Sequence, residues 1–536
     1  MDVIATKATA LQRAWLTARV HVDAFRASPR IYIAALWWRL FRRRVRSRAM
    51  LEPLLGASSR AYLLWQIRND ETATCIAAPT AKMVIGLDVS HGESGLSNTL
   101  ASLEQASGQI DVIRLGRPGL APPPIPELPF WLIPLLPGDR LAASALAAYS
   151  AAAARSQATI IYADDDLCDE RGWRYSPHFK PRWNEELFRW HDYLSHACAI
   201  RIDEESELKD IAERENWLSQ LIRQRIAANP ASIEHVPQVL HHRRLRPEPR
   251  PPQIRGSDDR NNDLPSTTVI VPTRNRVELL RTCLEGLQQT AYPRFDVIVI
   301  DNDSDDPATL AYLKQIQGLQ CRVMAFHGPF NYAAMNNAAV TLANCELICF
   351  LNNDIEMLDT GWLTYMAHQA VKPGIGAVGA RLLYADGSIQ HAGVSIGVGG
   401  GAAHAHRYLR PEDEGYFSRH NLPQFTTAVT AACLLVRCDY FRAVGGFDEQ
   451  RFPVAFNDVD LCLKLNERGW QSFYEPRATL IHHESKSRGK DSHHSNRTRF
   501  AAELAALKER WHTDTAIDPY HHPSLSRYSE QFVLKS

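Results

Sequence analysis

Between Thr267 and Leu351 the chain alternates short β-branched runs with helical patterns, and this alternation constrains the fold more than any other feature. "TTVIVPT" (267–273), "FDVIVIDN" (295–302), "CRVMAF" (321–326) and "ELICFLNN" (346–353) read as strands. Between the first two, "VELLRTCLEGLQQT" (277–290) places Leu279, Leu280, Cys283, Leu284 and Leu287 at helical spacing. "PATLAYLKQIQ" (307–317) opens with Pro307, favoured at a first helical position, and "NYAAMNNAAVTLA" (331–343) reads as a further helix. Strands with continuous apolar runs must be covered on both faces, which predicts a mostly parallel α/β sheet with flanking helices. Ligands of such sheets bind beyond the carboxyl ends of the strands. Here those ends carry Thr273–Arg274–Asn275, Asp301–Asn302–Asp303 and Asn352–Asn353–Asp354, three polar clusters on one sheet edge.

The first half repeats the pattern. "KMVIGLDVS" (82–90) and "IDVIRLG" (110–116) restate the strand-helix-strand opening, and "FWLIPLLPGDRL" (130–141) stands where "LICFLNNDIEML" stands later. "IEHVPQVLHHRR" (233–244) resembles "YEPRATLIHHES" (474–485). These matches predict two copies of one domain, 80–245 and 266–515, joined by the Pro- and Arg-rich linker 246–265. A helical region, 1–79, precedes them and a tail, 516–536, follows. In the first copy Pro137–Gly138–Asp139 replaces Asn352–Asn353–Asp354, and proline and glycine side chains offer no ligand oxygen. "ENWLSQLIRQRI" (215–226) lacks an acid at the later base position, and His241 and His242 have no obvious partners. The first copy therefore reads as degenerate, with Asp164–Asp165–Asp166 either a turn cluster or a glycan contact.

The chain has 60 basic and 60 acidic residues, so no global charge favours nucleic acid as a partner. Its ten cysteines are scattered without a CxxC pair, which fits buried thiols in a reducing compartment rather than disulfides or zinc. No signal peptide or apolar run of about 18–20 residues is present, so a cytoplasmic location is expected. "IYIAALWWRLFRRRVRSR" (31–48) is too short in its apolar part to span a bilayer, but suits peripheral contact with an anionic inner membrane face. A solvated face or a docking face accounts for its arginines equally well.

Three later segments complete the pattern. "FTTAVTAACLLVR" (425–437) reads as one strand of small residues, "FNDVDLCLKL" (456–465) as a helix presenting Asn457, Asp458 and Asp460, and "ATLIHHES" (478–485) as a strand ending in His482, His483 and Glu484. Asp458 and Asp460 stand two apart and do not share a helix face. Gly397 and Gly399–Gly401, with His404 and His406, read as a loop whose histidines lie at the surface.

On "VIVPTRNR", "VIVIDNDSDD", "FNYAAMNNAAV", "FLNNDIEM", "VGGFDEQ", "FNDVDLCLKL" and "IHHES", in that order, the second half resembles a family-2 inverting glycosyltransferase of GT-A fold. The whole chain resembles the bacterial tandem type, with a degenerate upstream copy marked by "IYADDDLCDERGWRYSPHFKPRW". The resemblance implies transfer from a nucleotide-sugar to a growing glycan or lipid-linked oligosaccharide in O-antigen, rhamnan or capsule synthesis. It implies a divalent cation, Mg²⁺ or Mn²⁺, held by Asp354 with an imidazole from His482 or His483. Asn352 departs from the family pattern, since many relatives carry an acid there; it offers an amide oxygen or positions a water. Pro272, Thr273, Arg274, Asp301 and Asp303 would line the nucleotide pocket, and Asn336 would face the donor. Asp458 is the expected general base. Plainer readings stand beside these: Asp354 as a capped strand end, Asp458 as a helix cap, and Asp301 as a turn acid. A sugar-nucleotidyltransferase would need a glycine-rich phosphate loop after the first strand, which "VPTRNR" lacks. A non-catalytic glycan-binding scaffold is the alternative from a different class.

Overall fold

In the structure, a computed structural model that describes residues 10–69, 81–107, 110–117, 126–211, 214–253, 263–318, 321–483 and 494–536, the expected alternation folds as two α/β units. Unit 1 comprises Met1–Glu248 with His522–Ser526 and Val533–Ser536; unit 2 comprises Pro249–His521 with Arg527–Phe532. Part of the expected linker and Glu484 lie outside the described residues.

In unit 2, parallel pairing runs from Cys321–Ala325 through Phe295–Asp301 and Thr267–Thr273 to Leu347–Leu351. Cys433–Arg437 then enters antiparallel, followed by Ile375–Leu383, Gln471–His482 and the short Ile355–Met357. Strand order reverses at Thr267–Thr273, so a crevice opens at its carboxyl end, the position where open α/β sheets bind ligands. The period-2 alternation of a strand divides the core between the two faces. Val269, Val271, Cys349 and Leu351 pack with Leu280, Leu284 and Trp362 on one side. Ile270, Ile348 and Phe350 pack with Met335, Phe447 and Leu461 on the other.

Local signals set the helices. Val277–Gln288 buries Leu279, Leu280, Cys283, Leu284 and Leu287, the five residues picked out by spacing. Pro307–Ile316 starts behind Asp306, whose carboxylate accepts the Thr309 N–H at 2.8 Å. Tyr332–Val340 is capped in the same way by Asn331, which accepts the Ala334 N–H at 2.9 Å.

Unit 1 has the sheet order Asp111–Leu115, Met83–Asp88, Phe130–Leu135, Cys198–Ile202, Ile160–Cys168, Ile233–Arg243, Arg140–Leu141. Element by element this is the order of unit 2 without its outermost strand, with the same parallel and antiparallel senses. The α/β sheet is therefore present twice. Four helices, Ala10–Ala27, Pro29–Leu40, Arg44–Gly56 and Ala61–Asn69, precede the sheet of unit 1.

Three expectations are corrected. Asp164, Asp165 and Asp166 are neither a turn nor a glycan contact, because they lie inside the strand Ile160–Cys168 and are fully buried. Each has cationic or imidazole partners: Asp165 meets Lys180 at 2.7 Å, and Asp166 meets Arg174 at 2.6 Å and His242 at 2.7 Å. Burial would raise the Asp165 pKa, but Lys180, Arg246 and Arg243 outweigh it and hold the carboxyl well below its usual range. His241 also has a partner, the Tyr149 hydroxyl at 2.7 Å. Finally, 425–437 is not one strand: Gln424–Thr426 and Cys433–Arg437 are separate, and the residues between leave the sheet. Val429 packs so tightly on Gly379 that a Cβ there would sit 2.5 Å from it.

Candidate active site

The strand Leu347–Leu351 delivers Asn352, Asn353 and Asp354 to the crevice, and what fixes them is a second strand pairing. Ile355–Met357 runs antiparallel to the end of Gln471–His482, with Ile355 opposite His482. One step further, the His483 N–H donates to the Asp354 carbonyl at 2.9 Å. This register sets the 4%-exposed Asp354 beside His482, with Oδ1 3.1 Å from Nε2. Asn352 joins them, its side-chain amide 3.3 Å from the same Nε2. Asn353 turns the other way and donates from Nδ2 to Thr273 Oγ1 at 2.9 Å, tying two strand ends together.

The chemistry of His482 follows from its other nitrogen. Nδ1 lies 2.7 Å from Gln390 Oε1, an atom that can only accept. Nδ1 therefore carries a proton, and in the neutral ring Nε2 turns its lone pair toward Asp354. A lone pair facing a carboxylate oxygen at this distance is repulsive unless positive charge lies between them, as a second ring proton or a metal ion. A half-turn of the Asn352 side-chain amide directs Oδ1 to the same point when a cation sits there. The residues therefore fit a divalent cation: one carboxylate, one imidazole with a fixed tautomer, and one amide.

His483 was expected as an equal candidate ligand. Successive residues of a strand point to opposite faces, and His483 instead pairs through Nε2 with Glu356 at 2.8 Å. Asn336 was expected to face the donor; it is fully buried in Tyr332–Val340 and donates to the Tyr332 carbonyl at 2.8 Å. His404 and His406 were expected at the surface, yet His406 is buried and half-buried His404 lies 2.8 Å from His391, Nδ1 to Nδ1. Burial, Arg407 and His482 push the His404 pKa down to about 3, and burial with His404 and His482 lowers that of His391, so both are neutral near pH 7.

Asp458 stands at the start of the helix Asn457–Glu467, after Phe456 in a left-handed conformation. Its Oδ2 accepts the Ala431 N–H at 3.1 Å and its Oδ1 accepts its neighbour Val459's N–H at 2.8 Å. Desolvation raises its pKa above the ordinary carboxylate value, with these N–H groups and Thr430 pulling the other way. The Ala431–Ala432 segment links it to the strand end: Tyr332 Oη donates to the Ala431 carbonyl, and the Asn352 N–H donates to the Ala432 carbonyl at 3.0 Å. Asp460 faces away, fully buried, accepting from Trp511 Nε1 at 2.9 Å and pairing with Arg510 at 3.2 Å.

At the other strand ends, Pro272 and Thr273 are buried and Arg274 is exposed. Asp301, opposite Thr273, accepts the Ser304 N–H at 3.1 Å. Exposed Asp303 accepts from Gly328 N–H at 2.9 Å and pairs with His327 at 2.7 Å, contacts that lower its pKa. Sequence reasoning missed Gln390. Its signal, a polar residue in the buried run Ile389–His391, has meaning only once His482 is known to be opposite.

Among the described residues, one group of three metal-capable side chains comes together, and it lies in unit 1: Asp164, His235 and His522, with donor atoms within 4.8 Å. These atoms could surround a cation. However, His522 Nδ1 accepts the Ser524 N–H at 3.0 Å, which leaves the ring proton on Nε2, 2.9 Å from Asp164.

Asp354, His482 and Asn352 thus meet at the carboxyl end of Leu347–Leu351, beside the switch point of the sheet. Residues 268–445 match the family described as glycosyl transferase family 2. An uncharacterized protein of Sinorhizobium fredii is 36% identical over 425 residues, covering 72% of this chain and 47% of that protein. The O-antigen biosynthesis protein RfbC of Myxococcus xanthus is 33% identical over 393 residues, covering 66% and 31%. An N-acetylglucosaminyl-diphospho-decaprenol L-rhamnosyltransferase of Mycobacterium tuberculosis is 41% identical over 81 residues, covering 14% and 26%. The chain thus spans less than half the length of the first two relatives.

Proposed function

We propose that unit 2 is an inverting, cation-dependent glycosyltransferase that moves a sugar from a nucleotide-sugar to a growing surface-polysaccharide acceptor. The observation that carries this reading is the Asp354 Oδ1–His482 Nε2 pair at 3.1 Å, a carboxylate and an imidazole nitrogen meeting where the family expects a metal. Asp354, His482 and the Asn352 amide would hold Mg²⁺ or Mn²⁺. When bound, the ion neutralises charge on the departing diphosphate. Asp458 takes the proton of the acceptor hydroxyl as its oxygen bonds to the anomeric carbon and the diphosphate leaves from the opposite face. Its pKa, raised by desolvation, strengthens it as a base. Thr273, Arg274, Asp301 and Asp303 would line the nucleotide site. Pro272 would support it from beneath, as a buried strand residue.

The Myxococcus relative's name supports a surface-glycan acceptor, and the mycobacterial relative's name supports rhamnose as the first sugar to test. Among the described residues, no helix is long and apolar enough to cross a membrane; we place the enzyme in the cytoplasm, working at the inner membrane face on a lipid-linked acceptor. Unit 1 keeps the sheet and, of the ligand positions, a carboxylate at Asp139, which accepts the Arg244 N–H at 2.9 Å. Its counterpart of His482, by register, is His242, which is engaged with Asp166. We assign it a supporting role. The test is release of nucleoside diphosphate from a panel of nucleotide-sugars with lipid-linked acceptors. Turnover that is unaffected by chelation and by Asp354→Ala would overturn the metal assignment.

A further inference from the structure

The helix Pro29–Leu40 leaves Ile31, Ile33, Leu36, Trp37 and Leu40 exposed, together with Phe41 just beyond its end. From Ile33 onward these positions are i, i+3, i+4, i+7 and i+8, a single helix face, with Ile31 off it. Trp37 is 58% and Leu40 75% exposed. The preceding helix, Ala10–Ala27, buries Leu16, Val20 and Ala24, yet leaves Trp15 and Phe25 among its exposed large side chains. Of the twenty-three exposed large apolar side chains among the described residues, eleven fall between Leu11 and Val45. Scattered apolar residues need no explanation, but a contiguous stripe of this kind marks a contact surface.

Charge identifies the partner. From Ala24 to Leu51 the sequence holds eight arginines and no acidic residue. Arg39, Arg42, Arg43, Arg44, Arg46 and Arg48 are all exposed, and Arg46 lies over the Trp38 ring at 4.0 Å. Twelve residues make a helix of about 18 Å, well short of the ~30 Å hydrocarbon layer. An apolar stripe with tryptophan, bordered by arginines and too short to span, fits the plane of a membrane interface.

We infer that the Ile33–Phe41 face and its arginines seat on an anionic lipid surface. The apolar stripe enters the headgroup boundary, and the guanidinium groups of Arg42, Arg43 and Arg44 reach the lipid phosphates. This inference does not depend on transfer chemistry, so either can fail alone.

The full chain is floated with vesicles of phosphatidylcholine alone or mixed with phosphatidylglycerol. It is expected to bind the mixed vesicles, and to bind them less as salt rises. Arg42→Ser/Arg43→Ser/Arg44→Ser should weaken binding by roughly 100-fold, about 5-fold for each arginine. Trp37→Ser/Leu40→Ser should abolish it. Because these side chains are exposed, circular dichroism and Tm should match wild type, which separates lost docking from misfolding. Failure to bind mixed vesicles would overturn the inference, as would equal binding by wild type and both variants. A wild-type dimer that Trp37→Ser/Leu40→Ser dissociates, without vesicle binding, would assign the face to a second copy of the chain instead.

Discussion

In the proposed reaction Asp458 and His482 carry the chemistry, and their environments act in different ways. Folding raises the Asp458 pKa above the ~3.9 of an unfolded aspartate. Its stabilising contribution is therefore present at acid pH and is lost as pH rises through the raised value, above which the buried ionised carboxyl costs stability. Asp458→Asn should accordingly leave Tm at pH 7 unchanged or higher while lowering kcat by about 10²–10⁴-fold. Differential scanning calorimetry and steady-state kinetics on the same preparation check both halves. The wild-type rate should fall on the acid side as Asp458 protonates, with a midpoint above the ordinary carboxylate range. His482 depends on a partner that the sequence does not flag: Gln390, 2.7 Å from Nδ1. Gln390→Leu removes the acceptor that fixes the tautomer and should raise the Mn²⁺ concentration for half-maximal activity by about 10–100-fold. A Mn²⁺ titration showing no shift would mean that another group orients the ring.

At the scale of elements, the helix Asn457–Glu467 serves two purposes on two faces. Asp458 looks toward Ala431, and Asp460 looks inward, meeting Trp511, Arg510 and, at 3.4 Å, Lys464. The two acids stand two residues apart, too far around the helix to work together. Asp460 instead anchors the helix His494–Trp511. Asp460→Ala leaves the Trp511 N–H and two cations without their shared acceptor, so a loss of about 3–5 kcal/mol is expected. Denaturant unfolding measures the loss, and hydrogen exchange should show faster exchange in His494–Trp511. In unit 1 the strand Ile160–Cys168 makes the same point: three consecutive aspartates, read as a turn or ligand site, are buried and matched by Lys180, Arg174, His242 and their neighbours. Sequence alone could not show this, because those partners come from other strands and loops.

Across the whole molecule, what was legible in the sequence is what periodicity and local start signals determine. The parallel strands, the core face of Val277–Gln288, the helix start at Pro307 and the tandem repeat follow from apolar spacing and a few local signals. What was not legible depends on long-range register. The pairing of Ile355–Met357 with Gln471–His482 decides that His482 meets Asp354 while His483 goes to Glu356, across more than a hundred residues. The burial of Asn336, His404 and His406 is likewise a property of packing. The same register places an imidazole nitrogen against a carboxylate, and the central claim rests on that arrangement. It is tested most directly by calorimetric titration of nucleoside diphosphates with and without Mn²⁺, using wild type, Asp354→Ala and His482→Ala. Tight binding that needs Mn²⁺ in wild type and is lost in both variants is the result expected here. Equal binding without Mn²⁺, unchanged in both variants, would contradict it.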